Sequence, residues 1–321
     1  SGLAVAQIIA RALDAPLHGR TGRVVQADAF FDNALDHARD LFAAGVPIVG
    51  VCASGILIRA VAPLLSDKTQ EPPVVSVADD GSVVVPLLGG HRGANRLARS
   101  IAEALDSTAA VTTAGDVSLG VSLDEPPDGW ALANPQHAKG AMAALLSGGG
   151  AVLLGAEAAQ ATWIADMPAG DTVKLSCDMM WQSDLGPNHL HFAPKRVTIG
   201  VGCARNCPPQ ELADLVHTAL NEAGVCDAAV HSINTISLKA DEPAMLELAQ
   251  QLNVPLRLFS AEELEAEAPR LATPSEVVFA EVGCHGVSEG AALAQLGSEG
   301  VLWLQKRKTA NATVALGLAD M

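Results

Sequence analysis

Tyrosine is absent from this chain of 321 residues, and aromatic side chains are few, with six phenylalanines and four tryptophans. Basic residues are also scarce: 20 Lys and Arg stand against 36 Asp and Glu, a formal net charge of −16. A chain with so few cations and stacking platforms is not built for nucleic acid, whose recognition needs both. No apolar run reaches the roughly 18 residues that a bilayer span demands. The six cysteines, at 52, 177, 203, 207, 226 and 284, form no CxxC pair. Neither a disulfide framework nor a zinc site is indicated, and free thiols in a reducing cytoplasm are the simplest account. A G-x-S-x-G turn is missing as well, so Ser-His-Asp catalysis has no support. The opening stretch Ser1–Ala10 carries no basic leader and reads as an amphipathic helix. Ser1-Gly2 before it reads as a turn after a strand that would precede this sequence.

What is present is apolar and periodic. Hydrophobic residues make up 49% of the chain and charged residues 17%, enough to fill two or three cores. Strands are expected at 45–51, 73–77, 83–88 and 109–113, alternating with helices near 3–13, 31–42, 55–65 and 97–105. Asp124-Glu125-Pro126-Pro127-Asp128-Gly129 has the composition of a linker. A small central region follows, with a helix near 136–146 and short strands at 152–154, 173–175 and 189–192. Alternation resumes at Arg196, with strands at 196–202, 230–238, 255–259, 301–304 and 312–316 and helices at 208–223, 242–252 and 287–295. The expectation is an α/β protein: two α/β domains with mostly parallel sheets, at 1–122 and 196–321, joined by a smaller central region at 123–195.

Leu88-Gly89-Gly90-His91-Arg92-Gly93-Ala94-Asn95 is the most informative stretch. A strand delivers the chain to a glycine turn, and a helix begins behind it. Glycines let backbone N–H groups face a ligand, and a helix N-terminus favours an anion. His91 adds a group that titrates near neutrality. A tight turn with surface polar residues is the competing account. From Gly45 to Ser100, Arg59, Lys68, Arg92, Arg96 and Arg99 face Asp67, Glu71, Asp79 and Asp80, a balance of +1 inside an acidic chain. A local cationic surface suits an anionic small molecule; two solvated helix faces would also account for it. Arg59 sits in a helix apolar nearly all round, so it should be buried against a ligand or a carboxylate such as Asp67, with Ser54 capping that helix. Thr113 ends a strand, where open α/β sheets bind ligands, or it caps a helix.

The C-terminal half repeats the logic at Gly200-Val201-Gly202-Cys203-Ala204-Arg205-Asn206, which is not the GxGxxG spacing of dinucleotide sites. Cys203 and Cys207 lack the matching pair that a metal would need, and thiols packed in the domain are expected there. Lys239 ends a strand and Asp241 opens a helix, as a cap or as a site residue. Gly286-Val287-Ser288-Glu289 is a further glycine turn into a small-residue helix. Glu289 is either a first-turn acid or a site carboxylate. Lys306-Arg307-Lys308 is a basic cluster, an ordinarily solvated feature. His189 and His191 share one face of a strand, but no third metal ligand is evident.

Together these blocks resemble the cobalt-precorrin-5A hydrolase family of cobalamin biosynthesis, known as CbiG. The first domain's likeness runs from Gly50 through Arg59-Ala60-Val61-Ala62-Pro63-Leu64-Leu65, Asp67-Lys68 and Leu87-Leu88-Gly89-Gly90-His91 to Asn95 and Thr112-Thr113. The last domain's likeness includes Gly200–Cys203, Leu238–Glu242, Gly286-Val287, Glu289, Ala291-Ala292, Lys306 and Ala312–Ala315. The family's Cys-Arg-Arg-Gly is here Cys203-Ala204-Arg205-Asn206, and its Val-Ala-Glu is Val287-Ser288-Glu289. The last domain alone is similar to CobE. The stretch Gly50–Arg59 with Glu71-Pro72-Pro73-Val74 resembles the form fused to a precorrin-3B methyltransferase.

The resemblance implies hydrolysis of the ring lactone of cobalt-precorrin-5A with release of acetaldehyde. The alternative is a non-catalytic carrier of corrinoid intermediates that acts with a methyltransferase of the pathway. It implies an anionic corrin precursor as ligand, a cytoplasmic location, a homodimer as one assembly, and no resident cofactor or metal, since cobalt belongs to the substrate. His91, Glu289 and Lys239 are then the candidates for proton transfer. Arg59, Lys68, Gly89, Gly90, Arg92, Gly93, Asn95 and Thr113, with Gly202, Arg205, Asn206, Asp241 and Lys306, are candidates for holding the substrate.

Overall fold

The structure, a computed structural model, describes residues 2–67, 70–183 and 185–319, without the side chain of His91. Lys68 therefore lies outside the described residues. Two compact units form, Ser1–Glu125 and Pro126–Met321. Among the described residues no helix is long and apolar enough to cross a membrane.

The first unit runs α1 (Leu3–Ala12), β1 (His18–Arg20), β2 (Ala29–Phe31), α2 (Ala34–Ala43), β3 (Ile48–Val51), α3 (Ser54–Val61), β4 (Val74–Val77), β5 (Val83–Leu88), α4 (Ala94–Ala104), β6 (Thr108–Ala109) and α5 (Ala114–Ser118). Its main sheet has the order β3-β4-β5-β6. β3 and β4 are parallel, β4 and β5 antiparallel, β5 and β6 parallel. The reversal between β4 and β5 follows from the short Asp79–Ser82 turn, where Asp80 accepts from the Ser82 amide and hydroxyl. Alternate residues of β4 point to opposite faces. Val75 and Val77 pack with Ile9, Ala98 and Ile101, while Val74 packs with Phe42, Leu57, Ala60 and Val61. Asn33 starts α2 by accepting the Leu35 and Asp36 amides.

Four expectations fail here. α3 is not buried all round: Ile56 and Ile58 are 41% and 48% exposed. Arg59 is on the surface and bonds back to the Gly55 carbonyl of its own helix. Ser54 does not cap α3; the cap position is Ala53, with no side-chain bond. The strand expected at 109–113 ends at Ala109, because Asp116 and Asn95 draw Thr113 into a side-chain network.

The second unit contains β7 (Trp130–Leu132), α6 (Ala138–Leu146), β8 (Ala151–Leu154), β9 (Val173–Cys177), β10 (His189–Pro194), β11 (Val197–Cys203), α7 (Pro209–Ala223), β12 (Val230–Ile236), α8 (Pro243–Gln251), β13 (Leu256–Phe259), α9 (Ala261–Ala266), α10 (Glu276–Val282), α11 (Val287–Ala294), β14 (Val301–Lys308) and β15 (Ala312–Leu318). The central region builds its own sheet, β7-β10-β9-β8, and β10 leads almost directly into β11. Residues 179–181 fasten to the end of α7, with Cys226 N–H donating to Met179 and Trp181 N–H donating to Gly224.

The last sheet has the order β13-β12-β11-β15-β14. β11 is parallel to β12 and antiparallel to β15. Across the described sheets parallel pairings outnumber antiparallel ones, as the alternating pattern implies. Odd-numbered β11 residues Val197, Ile199 and Val201 build a core with α7 and α8. Even-numbered ones face α11, where the helix backbone rests directly on Gly200.

Candidate functional site

In the first unit, Gly89 follows β5 with a left-handed φ of +75°. A Cβ there would lie 2.6 Å from the Pro72 carbonyl oxygen and the Pro73 nitrogen, so only glycine fits. The Gly89 carbonyl accepts the Arg92 and Ala94 amides, which folds Gly90–Arg92 into a single 3-10 turn. Among the described residues nothing stands within 4 Å of a Cβ added at Gly90. The main chain thus places His91 at the tip. Arg92 is exposed and donates to the Gln70 carbonyl at 3.3 Å. Gly93, with φ +99°, starts α4, so the turn stands at the N-terminus of an eleven-residue helix.

Behind the turn a buried polar cluster locks α4 to α5. Asn95 donates to Thr113 Oγ1 and Asp116 Oδ2, each at 2.9 Å. Thr113, Arg99 and Ser122 also donate to Asp116, whose side chain is 2% exposed. Burial would raise the Asp116 carboxyl, but the bonds from Thr113, Arg99 and Ser122 outweigh it and hold the group below its ordinary range. Arg96 faces Glu125 at 3.7 Å. Two of the five cations counted between Gly45 and Ser100 are therefore matched by acids that arrive later in the chain. Asn95 and Thr113 point their polar groups at each other and at Asp116. Asp116→Ala is expected to lower the stability of the first unit by about 3 kcal/mol, because it leaves several donors without an acceptor. A urea midpoint measurement checks it, and an unchanged midpoint contradicts it.

In the second unit, Arg205, Asn206, Lys239 and Asp241 come together at the ends of β11 and β12. Glu242 is their centre and is 1% exposed. Its Oε1 accepts the Asn206 amide at 3.0 Å, and Asn206 holds a left-handed φ of +59°. Its Oε2 lies 3.6 Å from Lys239 Nζ and 3.7 Å from Arg205 Nη1. Arg205 also bonds Asp241 at 2.7 Å and the Leu238 carbonyl at 2.6 Å. That bond holds Asp241 below the usual carboxylate range. Cys203 sits under this loop, and burial, with Cys207 and Glu242 nearby, pushes its thiol up to about 12. It is a neutral packing group.

Glu289 lies on the opposite face, in α11, at 1% exposure. Its Oε2 accepts the Ala272 and Thr273 amides and its Oε1 the Lys306 amide, each at 2.9 Å. Lys306 Nζ reaches the Thr273 carbonyl at 3.3 Å. Lys239 and Glu289 are therefore not one proton-transfer pair. Gly202 stands at the α11 end of the sheet, where an added Cβ would meet Thr313 Oγ1 at 2.8 Å. Beside α11, His285 Nδ1 pairs with Glu265 Oε1 at 2.8 Å and the ring stacks on Phe279. In the central sheet, Ser176 Oγ bridges His189 Nε2 and His191 Nδ1 at 3.0 Å each, and burial lowers both rings. Among the described residues no group of His, Cys, Asp and Glu is arranged to hold a metal.

With this geometry in view, two family models match. "Cobalamin synthesis G N-terminal" covers residues 36–116. "Cobalamin synthesis G C-terminus" covers residues 197–317. The chain belongs to the CbiG family. It is a protein of cobalamin biosynthesis. A relative named cobalt-precorrin-5A hydrolase, from Priestia megaterium, is 28% identical over 301 residues, 87% of this chain and 80% of the relative. Protein CobE of Sinorhizobium sp is 48% identical over 120 residues, 37% of this chain and 78% of that protein. A solved structure of CobE, described as a protein from the cobalamin biosynthetic pathway, is 34% identical over 40% of this chain and 92% of that one, with a TM-score of 0.38.

The CbiG N-terminal match spans the Gly89–Gly93 turn and Asp116 and stops before Glu125. Asp116, Glu125, Glu242 and the Glu265–His285 pair were not singled out from the sequence as site residues. Glu125 was concealed by its setting in a Pro- and Asp-rich stretch. The signal available was Leu123, an apolar residue beside it that is fully buried.

Proposed function

We propose that this chain is a cobalt-precorrin-5A hydrolase whose reacting groups gather at the Gly89–Gly93 turn. The observation that carries the reading is the turn itself: two left-handed glycines at a strand end, an α-helix N-terminus behind them and a histidine at the tip. The long match to relatives of that name supports it.

Water adds to the lactone carbonyl and the ring C–O bond opens, giving a carboxylic acid and a secondary alcohol. The alcohol then loses its proton as the adjoining C–C bond breaks. Acetaldehyde leaves, and the electron pair enters the conjugated macrocycle, followed by a proton. One water is consumed overall. The cobalt is part of the substrate, and no resident cofactor is required. His91 is the base that activates the water. Amides of the turn and the start of α4 face the developing oxyanion. Arg92, exposed on the turn itself, offers charge to the carboxylate arms of an anionic corrin precursor. The location is cytoplasmic.

His91→Ala is expected to lower acetaldehyde release about 100-fold or more, with precursor binding retained. The check is incubation with cobalt-precorrin-5A and a coupled aldehyde assay. Full lactone-opening activity in the variant would refute the role. The second reading is a carrier that hands intermediates to a precorrin-3B methyltransferase, favoured by the 48% identity to CobE over 120 residues. It predicts a stoichiometric coloured complex and no aldehyde.

A further inference from the structure

Glu125 closes the first unit, directly beneath the glycine turn. Its side chain is 9% exposed, and Arg96 Nη1 stands 3.7 Å from its Oε1. That oxygen is buried and has no hydrogen-bond partner among the described residues. A Cβ built on Gly93 would come 3.4 Å from the same oxygen and 3.4 Å from Arg96 Nη2. The carboxyl therefore lies within van der Waals reach of the turn. A carboxylate with one oxygen buried and left without a hydrogen bond is poorly solvated, so the protonated form is favoured. The charged groups facing it are Arg96 and Arg99 from α4, Asp116 from α5 and the adjacent Asp124. Burial dominates and raises Glu125 to about 7, Arg96 and Arg99 pull it down, and Asp124 and Asp116 push it up.

The reaction places two opposite demands on one atom. The lactone ring oxygen needs a proton as its C–O bond opens. The same oxygen, now a hydroxyl, must lose a proton as the C–C bond breaks. We propose that Glu125 is the proton carrier for that oxygen, giving its proton in the first step and taking it back in the second. The carboxyl ends in the state in which it began, so protons balance over the cycle. The role rests on the hydrolase reading above. A group that titrates near neutrality serves both directions at little cost.

The test begins with the wild-type chain, cobalt-precorrin-5A and an aldehyde assay across pH 5–9. The rate per enzyme should fall as pH rises past about 7, because lactone opening uses the protonated carboxyl. Glu125→Gln should lose about 100-fold in aldehyde release and lack the descending limb. Its affinity for the precursor, read by absorbance titration, should change less than about 3-fold, since glutamine mimics the neutral carboxyl. Arg96→Gln is the second variant. It removes a cation that holds the carboxyl down, so the limb should move upward in pH, which a merely structural arginine would not cause.

Carboxyl-labelled glutamate followed by carbon NMR in the full chain gives a readout independent of turnover. One resonance should titrate near 7 and be missing in Glu125→Gln. No aldehyde from the wild type overturns the hydrolase reading, and this role with it. Aldehyde release undiminished in Glu125→Gln overturns the role alone. So does a Glu125 resonance titrating in the ordinary carboxylate range.

Discussion

Gly200→Ala is expected to disrupt the last domain, with a loss of about 3 kcal/mol or more. A Cβ at Gly200 would fall 1.9 Å from the Ser288 carbonyl oxygen and 2.6 Å from the Ala292 nitrogen. Both are main-chain atoms of α11, so no side chain can rotate away and the whole helix must lift from β11. That helix also carries Ala291 and Ala292, fully buried, and its Ala292 carbonyl accepts the Thr198 hydroxyl at 2.8 Å. Lifting it therefore opens the sheet face from Thr198 to Gly202. Denaturant unfolding measures the effect, with Gly186→Ala as control. A Cβ at Gly186 meets nothing within 4 Å among the described residues, and that change should stay within about 0.5 kcal/mol. Equal midpoints for the two variants would contradict the close packing.

Glu289→Gln should lower stability by about 2–4 kcal/mol. Three backbone amides end on this one carboxylate, from Ala272, Thr273 and Lys306. An amide group supplies only one acceptor oxygen, so at least one buried N–H would face another N–H. The amides of Ala272, Thr273 and Lys306 should then exchange with deuterium faster than those of β11, which the change does not touch. The result separates two roles for the residue. If the carboxylate holds the loop before α10 against β14, stability and exchange move first, and activity falls only as folded protein is lost. A Glu289→Gln protein of unchanged midpoint that releases no aldehyde would show that the group acts on substrate.

Much of the molecule is legible without coordinates. The helix expected near 97–105 is α4, and its Ala98, Ile101 and Ala102 are buried, though it starts three residues earlier, at Ala94. Gly89 and Gly93 lie where the chain turns through left-handed φ. Lys239-Ala240-Asp241-Glu242 is visible as polar residues between a strand and a helix, and it becomes the second unit's polar edge. The elements missed were short or lacked apolar signal. β1 and β2 have three residues each, and α9 is a six-residue acidic helix held by the Ser260–Glu263 capping box.

Side-chain partners were another matter. The balance of +1 near the glycine turn counted charges by position in the chain. Arg99 ends on Asp116 and Arg96 faces Glu125, both beyond the counted window. The hydropathy of its neighbours implies a buried Arg59, yet Ile56 and Ile58 point outward. Hydropathy records what a residue prefers, not which face a helix turns to its sheet.

The amino-acid order alone determined the α/β alternation, the glycine turn with His91 at its tip and the kinship with CbiG. Each of these lives in spacing over a few residues, where backbone sterics and side-chain period act locally. Only the tertiary fold decided that one Glu125 oxygen is buried under Gly93 with no hydrogen bond among the described residues, that Glu242 gathers Arg205, Asn206 and Lys239, and that Glu289 holds three amides. A carboxyl's protonation and partners depend on what surrounds it within a few ångströms, and distant segments of chain supply those neighbours.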